Sequence, residues 1–299
     1  MCIRDRGDNL ASINNLSEVQ QLNSDFRRLY EEGKYVSAAN TGERLLKMQE
    51  EELGADHVLV GDTLHNLAVL YDNQIQFEKA EELYLRSLTI RVKSLGQTHP
   101  DTRTTIDSLA LMHWDQEAYS KVEPLFFRAL LIDEVVLGEN NPEIVKSINN
   151  LAALHQKQGE HDKAELLYIR GFTIRKEGLG INHLDTASSM RSLGQLYFSQ
   201  GDYDKAEPNF INSLAIFEKA YGPNHKNIAT SLHNLGALYK AQGHFEKSEP
   251  LLLRAISITE KEFGSSHLNL VASLHSLGLL YHAQGNIGKA EPLLSLIHI

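Results

Sequence analysis

The sequence predicts an all-α protein, a superhelical solenoid of antiparallel helix pairs, because three series of residues recur at one fixed interval. One series consists of six glycines: Gly54, Gly96, Gly138, Gly180, Gly222 and Gly264. Leucines from Leu67 to Leu277 and glutamates from Glu81 to Glu291 recur at the same interval, 96 − 54 = 42 residues. Such a period is typical of arrays in which stacked neighbours bury the apolar face that one repeat cannot bury alone. The 299 residues have room for about six repeats and a truncated seventh.

Each period is predicted to contain two helices. In the period that follows Asn227, apolar residues such as Ile228 and Leu235 keep the three- and four-residue spacing of one helical face. Gly243 interrupts this pattern before a second apolar run begins, and Gly264 is placed to end the second helix with a positive φ. The expected N-caps of the first helices, which would accept through side-chain oxygens, are Asp101, Asp185, Asn227 and Asn269.

Four short motifs carry a family resemblance. Leu-Gly-x-x-Tyr at 235–239 and Gln-Gly-x-Phe at 242–245 resemble the tetratricopeptide repeat, whose ordinary period is shorter. Three features are similar to the kinesin light chain type of this repeat. They are the longer period, the motif Leu-Gly-x-x-His-Pro at 95–100 and the motif Lys-Ala-Glu-Pro at 289–292. The resemblance covers 58–293 and implies a cytoplasmic array whose first helices line a concave groove for binding proteins.

The period also predicts how the chain is divided. We expect a degenerate first repeat at 14–57, because Asp25 stands where the core leucine should be. The repeats expected after it are 58–99, 100–141, 142–183, 184–225 and 226–267, with a partial seventh at 268–293.

The two ends, 1–6 and 294–299, are predicted to be sequencing-adapter scars. A transposase mosaic end encodes most of the first segment, and its reverse complement encodes the second. We therefore expect a fragment of metagenomic origin, with natural termini as the alternative, and leave domains beyond either end open. Cys2, the single cysteine, belongs to the first scar, so disulfides and cysteine-based sites are excluded from the rest.

Charge and motifs disfavour several classes of function. The net charge is −10, and removing the net +1 of the first scar leaves −10 − 1 = −11, which disfavours binding to nucleic acid or an anionic membrane. No apolar run approaches the roughly 18 residues of a membrane span. GxGxxG, P-loop, GxSxG and HExxH motifs are absent, so we expect no enzyme, cofactor, metal or small-molecule substrate. The periodic histidines, His57 to His267, would lie about 20 Å apart, too far to share one zinc ion.

The predicted binding site is the groove that the resemblance implies. Its candidate lining residues are Asn66, Asp107, Trp114, Lys146, Asn149, Asn150, Arg191, Gln195, Phe198, His233, Asn234, Lys240 and His275. An amide both donates and accepts, so the asparagines are expected to hold an extended peptide backbone, with a solvated polar face as the alternative.

The groove is also expected to be electrically uneven. The acidic residues Asp62, Asp72, Asp107 and Asp115 come first along the chain, and the basic residues Lys146, Lys157, Arg191 and Lys240 follow. We therefore expect a peptide whose acidic residues meet the basic part, with an apolar anchor near Trp114 or Phe198.

Two functional hypotheses remain, together with a third that the groove disfavours. The first is a non-catalytic scaffold or adaptor that binds extended peptides of protein partners. The second is the sensor half of a larger protein whose other end carries a protease-like or nucleotide-hydrolysing domain. A structural spacer is the third. The sequence beyond the two ends would distinguish the first from the second.

Overall fold

The expected all-α fold class is confirmed. A computed structural model of the chain describes residues 4–264 and 268–295, and all regular structure within these ranges is helical. The predicted adapter scars lie partly outside the described residues, as does the periodic residue His267. The chain divides into two compact units, Met1–Glu139 and Asn140–Ile299.

The described part of the first unit contains three helix pairs. In chain order its helices are α1 (Arg4–Glu31), α2 (Tyr35–Leu53), α3 (Val58–Asn73), α4 (Phe77–Leu95), α5 (Pro100–Asp115) and α6 (Tyr119–Leu137). Each odd-numbered helix packs against the helix that follows it, and α2 and α4 also pack against the first helix of the next pair. The first helices α3 and α5 contact each other directly, so their outward faces lie side by side.

The second unit repeats this arrangement four times. A short 3-10 helix, Pro142–Ile144, precedes α7 (Val145–Lys157), α8 (His161–Leu179), α9 (Leu184–Gln200), α10 (Tyr203–Tyr221), α11 (Lys226–Ala241), α12 (Phe245–Phe263), α13 (Leu268–Ala283) and α14 (Ile287–Ser295). Here α9 contacts α11, and α11 contacts α13. The first helices of successive pairs are therefore neighbours within this unit too.

Small residues on the first helices admit large residues from the second helices. A Cβ atom added at Gly194 would lie 2.7 Å from the ring of Phe210, and one added at Gly236 would lie 2.9 Å from Leu252. Both large side chains are buried. Since neither contact leaves room for a methyl group, the periodic small residues determine how closely the two helices of a pair approach.

The C-terminal ends of the second helices agree with the prediction from the sequence, whereas the N-terminal ends of the first helices differ from it. The glycines that follow the second helices have positive φ, for example 90° at Gly180, as expected. The predicted N-caps were wrong: Asp101, Asp185 and Asn227 lie inside their helices. Each donates its backbone N–H to Nδ1 of the histidine two residues earlier, at 3.2, 3.1 and 3.2 Å. The side chain of Asn269 lies outside the described residues.

The capping geometry explains the periodic histidines. His99, His183 and His225 are the N-caps, and each has the extended backbone that an N-cap residue adopts. Asn141 stands at the same position of its period, and its Oδ1 accepts from the N–H of Glu143 at 2.9 Å. What the position requires is therefore an acceptor atom two bonds beyond Cβ, which both residue types provide.

The turn inside the helix pair is strained in the first unit. In the second unit glycines such as Gly159 and Gly201 occupy the left-handed position of this turn, both at φ 77°. In the first unit Gly33 takes this position in the first pair, at φ 71°, but the next two pairs have Ile75 at φ 62° and Glu117 at φ 56° there. A β-branched residue in this conformation has a Cβ that crowds the backbone, which costs about 1–2 kcal/mol.

We predict that Ile75→Gly stabilises the first unit by up to about 1 kcal/mol. The glycine relieves the crowding, and its greater freedom in the unfolded chain offsets part of the gain. Ile75 is exposed, so the change removes little packing. The measurement is urea-induced unfolding followed by circular dichroism. Ile75→Ala is the matched control, because it shortens the side chain and keeps Cβ. If the two variants were equally stable, the conclusion that the backbone of Ile75 is strained would be wrong.

Candidate functional site: the first-helix face

The first-helix face is the surface of α3, α5, α7, α9, α11 and α13 that does not pack on a second helix. These six helices carry all thirteen predicted groove residues. Each unit has a first-helix face of its own, and the two differ in how their charged side chains are used.

In the first unit, Asn66 is exposed beside a cavity of about 410 Å³ between α1 and α3. The residues that line this cavity are Phe26, Arg27, Tyr30, Glu31, Asn66 and Val69. Its floor is apolar because Phe26 is buried, and its rim carries one cation, one carboxylate and the amide. The cavity thus has both apolar and polar lining residues.

The acidic character expected of the first unit is partly neutralised. Asp62 pairs with Arg91 at 2.7 Å, and Asp107 pairs with Arg103 one helical turn away. Burial raises the pKa of Asp72, and the nearby charge of Asp115 raises it further. Uncompensated negative charge on this part of the face is therefore concentrated at Asp72 and Asp115 rather than spread over four residues.

The two predicted aromatic anchors pack within their own helix pairs. The ring of Trp114 lies 5.7 Å from that of Tyr119 and 6.1 Å from that of Phe126, between ring centres. The ring of Phe198 lies 5.9 Å from that of Tyr203. Trp114 and Phe198 are both half-buried, so only part of each ring faces solvent. Their role as anchors stays a prediction.

In the second unit, Arg191 is the central cation of the face. It is half-buried on α9, and its guanidinium lies 5.3 Å from the centre of the Phe217 ring. Burial lowers the pKa of Arg191, and no carboxylate of the described residues lies within 4 Å of it. It borders a cavity of about 410 Å³ that is also lined by Ser188, Phe217, Tyr221, Lys226, Asn227 and Thr230.

The other basic residues of this unit differ in their surroundings. Lys240 is half-buried, and burial lowers its pKa without an ion-pair partner among the described residues. Lys146 is exposed and pairs with Glu143 at 3.1 Å. Gln195 and His275 are exposed. Since exposed pairs are screened by water, Arg191 and Lys240 are the cations that would gain most from a bound anion.

The asparagines leave polar atoms unused. Oδ1 of Asn149 and Nδ2 of Asn234 are buried, and the structure gives neither a hydrogen-bond partner. Asn150 is exposed on the same helix as Asn149. A buried polar atom without a partner costs about 1–3 kcal/mol, so these two atoms are destabilising within the fold, whereas the amide of Asn150 is accessible.

The histidines of the face connect neighbouring first helices. Nδ1 of His233 lies 3.2 Å from Oγ of Ser273, and Nδ1 of His65 lies 3.4 Å from Oγ1 of Thr105. Burial lowers the pKa of both histidines, that of His65 to about 4. Both are therefore neutral near pH 7, and their contacts join adjacent repeats.

Sequence reasoning missed one cation of this region, Arg175 on α8. It is 7% exposed, and its guanidinium donates to the carbonyl of Asp185 and to Oγ of Ser189, both at 3.1 Å. Comparison of the periods would have revealed it, because Arg91 stands 175 − 91 = 84 residues earlier, two full periods away.

Tyrosine–glutamate hydrogen bonds join the repeats below this face. Tyr197 donates to Glu165 at 2.7 Å, and Tyr239 donates to Glu207 at 2.9 Å. In each case the tyrosine belongs to a first helix and the glutamate to the second helix of the preceding pair. The recurring glutamates of the second helices are thus acceptors between repeats.

Comparison with known proteins identifies the family. A tetratricopeptide-repeat family model matches residues 143–210, 185–261 and 242–295, which together span 295 − 143 + 1 = 153 of the 299 residues. A second tetratricopeptide-repeat model matches residues 60–101. The chain therefore belongs to the tetratricopeptide-repeat family. No curated protein matches the sequence.

Solved structures support the resemblance to kinesin light chains at the level of the fold. BtubC (BKLC) from P. vanneervenii is 21% identical with a TM-score of 0.62, over 74% of this chain and 89% of that one. A Podosopora anserina protein assigned as a kinesin light chain, with nearly identical TPR-like repeats, is 24% identical with a TM-score of 0.55, over 67% and 95%.

A third similar structure belongs to a multidomain protein. The STAND protein with a tetratricopeptide-repeat sensor from Pyrococcus horikoshii is 15% identical with a TM-score of 0.64, over 95% of this chain and 41% of that one. Among the described residues, no helix is long and apolar enough to span a membrane. Within the same residues, no three histidine, cysteine, aspartate or glutamate side chains are grouped as a metal site would require.

We predict that the Tyr239 hydroxyl contributes stability that alkali removes. Burial, together with Glu207, raises the pKa of Tyr239 from 10.0 to about 12. Between these values the unfolded chain loses the phenolic proton and the folded protein keeps it. The contribution is therefore complete below pH 10 and is lost as the pH rises through about 12.

Tyr239→Phe tests this expectation. Near neutral pH the variant should be less stable by about 0.5–1.5 kcal/mol, the usual value of one hydrogen bond, and the gap should narrow above pH 10. Urea unfolding near neutral pH and at about pH 11 measures it. Tyr203→Phe is the control, because that hydroxyl makes no hydrogen bond within the described residues. If the difference in the free energy of unfolding between the variant and the unchanged protein did not depend on pH, the raised pKa of Tyr239 would be contradicted.

Proposed function

We propose that this chain is a non-catalytic scaffold that holds an extended peptide segment of a protein partner against its first-helix face. The observation that carries the proposal is a set of polar groups on the first helices of the second unit that a ligand could pair with. These groups are the half-buried cations Arg191 and Lys240, which form no ion pair within the described residues, and the exposed amide of Asn150 beside them in the sequence of first helices.

The amides support an extended ligand backbone. A peptide in extended conformation presents N–H donors and carbonyl acceptors at regular intervals, because it has no internal hydrogen bonds. Asn150 is exposed, and its amide offers both a donor and an acceptor. Recognition of this kind depends on the backbone and tolerates many side-chain sequences.

The charges support acidic residues in the ligand. Burial lowers the pKa of both Arg191 and Lys240, which means that the fold withdraws two cations from water without supplying anions. A carboxylate from the partner would offset that cost, and charge-assisted hydrogen bonds of this type contribute about 1.5–3 kcal/mol. We place this activity in the cytoplasm on the basis of the repeat type. Nucleic acid, membranes and small-molecule substrates are not part of the proposal, since the net charge is −10.

A second candidate is the sensor part of a larger protein whose other end carries an enzymatic domain. The Pyrococcus horikoshii structure favours it, because this chain matches 41% of a longer protein that is described as a STAND protein with a tetratricopeptide-repeat sensor. Sequencing the gene beyond both ends tests this candidate. A stop codon and a start codon directly outside the repeats would exclude it.

Selection of peptides from a displayed random library tests the scaffold proposal. We expect enriched sequences that contain acidic residues and bind the purified protein. Asn150→Ala combined with Arg191→Ala should weaken that binding about tenfold or more, because one charged contact and one amide contact are lost. Fluorescence anisotropy with a selected peptide measures the change, and circular dichroism checks that the variant folds.

The matched control changes the same kinds of groups on a second helix. Asn212 and Lys219 are exposed on α10, so Asn212→Ala combined with Lys219→Ala removes one amide and one cation away from the first-helix face. This variant should bind like the unchanged protein. Failure to enrich any peptide, or equal loss of binding in both double variants, would refute the proposed site.

A further inference from the structure

The ion pair of Arg91 and Asp62 in the first unit has only a partial counterpart in the second unit. Arg91 is buried on α4, and three acceptors surround its guanidinium. It donates to the carbonyl of Asp101 at 2.9 Å, to Oγ1 of Thr105 at 2.7 Å and to Oδ1 of Asp62 at 2.7 Å. The Asp62 side chain is 40% exposed, so this carboxylate lies at the surface of the first-helix face.

Arg175 reproduces two of these three contacts. It stands 84 residues after Arg91, is equally buried, and donates to the carbonyl of Asp185 and to Oγ of Ser189. Asp185 and Ser189 stand 84 residues after Asp101 and Thr105. The surroundings of the arginine are therefore the same in both units for the backbone acceptor and for the hydroxyl acceptor.

The third contact is missing because the residue 84 positions after Asp62 is Lys146. The carboxylates of Asp185 and Glu143 influence Arg175 only from a longer range, and neither forms an ion pair with it in the described residues. Glu143 pairs instead with Lys146 at 3.1 Å. The second unit thus retains a buried guanidinium and has a second cation where the first unit has its anion.

A buried cation without an anion is costly, because the desolvation of the charge is not offset by a Coulomb attraction. Burial accordingly lowers the pKa of Arg175. In the first unit the chain removes this cost with its own carboxylate. In the second unit no carboxylate of the described residues takes this place beside the guanidinium.

We propose that Arg175 is a specificity-determining residue for an acidic peptide, and that an aspartate or glutamate side chain of the ligand takes the position that Asp62 has beside Arg91. The inference rests on the proposed function and adds a recognition residue from a second helix. Lys146, on the adjacent first helix, supplies a second positive charge to the same carboxylate.

The test supplies the carboxylate from within the chain. Lys146→Asp places a carboxylate at the position that corresponds to Asp62, whereas Lys146→Asn removes the ammonium group without adding one. We expect Lys146→Asp to unfold at a higher temperature than Lys146→Asn, even though it sets a new charge close to Glu143. Differential scanning calorimetry measures both variants.

The binding arm uses a labelled polyglutamate peptide as the probe. Lys146→Asn should weaken the binding of this peptide modestly. Lys146→Asp should weaken it at least about tenfold further, because the new carboxylate of the protein then pairs with the guanidinium of Arg175 in place of the peptide. Lys219→Asp controls for the change in net charge, since Lys219 is exposed on α10, and it should bind the probe almost as well as the unchanged protein.

Three results would overturn the inference. Equal unfolding temperatures of Lys146→Asp and Lys146→Asn would show that no carboxylate position exists beside Arg175. Equal binding of polyglutamate by these two variants would show that the ligand does not use it. Absence of polyglutamate binding by the unchanged protein would also overturn it. Library peptides that depend on Asn150 and Arg191 would in each case leave the proposed function standing.

Discussion

The structure depends on one constraint, which is that a single helix pair has more apolar surface than its own two helices can cover. Within each unit, a second helix that is followed by another pair packs on its partner and also on the first helix of that pair, so burial is completed only between repeats. The small residues at positions such as Gly194 set the distance within a pair, and hydrogen bonds such as that from Tyr239 to Glu207 set the contact between pairs. The first-helix face is what remains uncovered once these requirements are met.

The period alone was sufficient to predict the helices and the glycines that end the second helices. These features depend on residues a few positions apart, where sequence spacing translates directly into geometry. The N-caps were mispredicted because the sequence offers two polar residues, a histidine and the residue two positions later. Only the backbone shows which one has the extended conformation of a cap.

Predictions for the first-helix face were less complete for a different reason. Whether a charged residue is available to a ligand depends on partners that approach from other helices. Asp62 belongs to an ion pair because Arg91 reaches it from α4, which its neighbours in sequence do not reveal. Arg175 was not predicted because it lies on a second helix, whereas the resemblance points only to the first helices. Both relationships emerge when the repeats are aligned with one another, since equivalent residues then stand in one column.

The hydrogen bonds between repeats have a consequence for how such a chain can change in length. In Tyr197–Glu165, Tyr239–Glu207 and Tyr281–Glu249 the donor always comes from one copy and the acceptor from the copy before it. Unequal recombination that duplicates or deletes one whole period within this segment therefore leaves every junction chemically complete. Gain or loss of repeats alters the order of charges and amides along the binding face while the junctions stay the same. New specificities can thus arise by rearranging existing repeats, before any single residue is substituted.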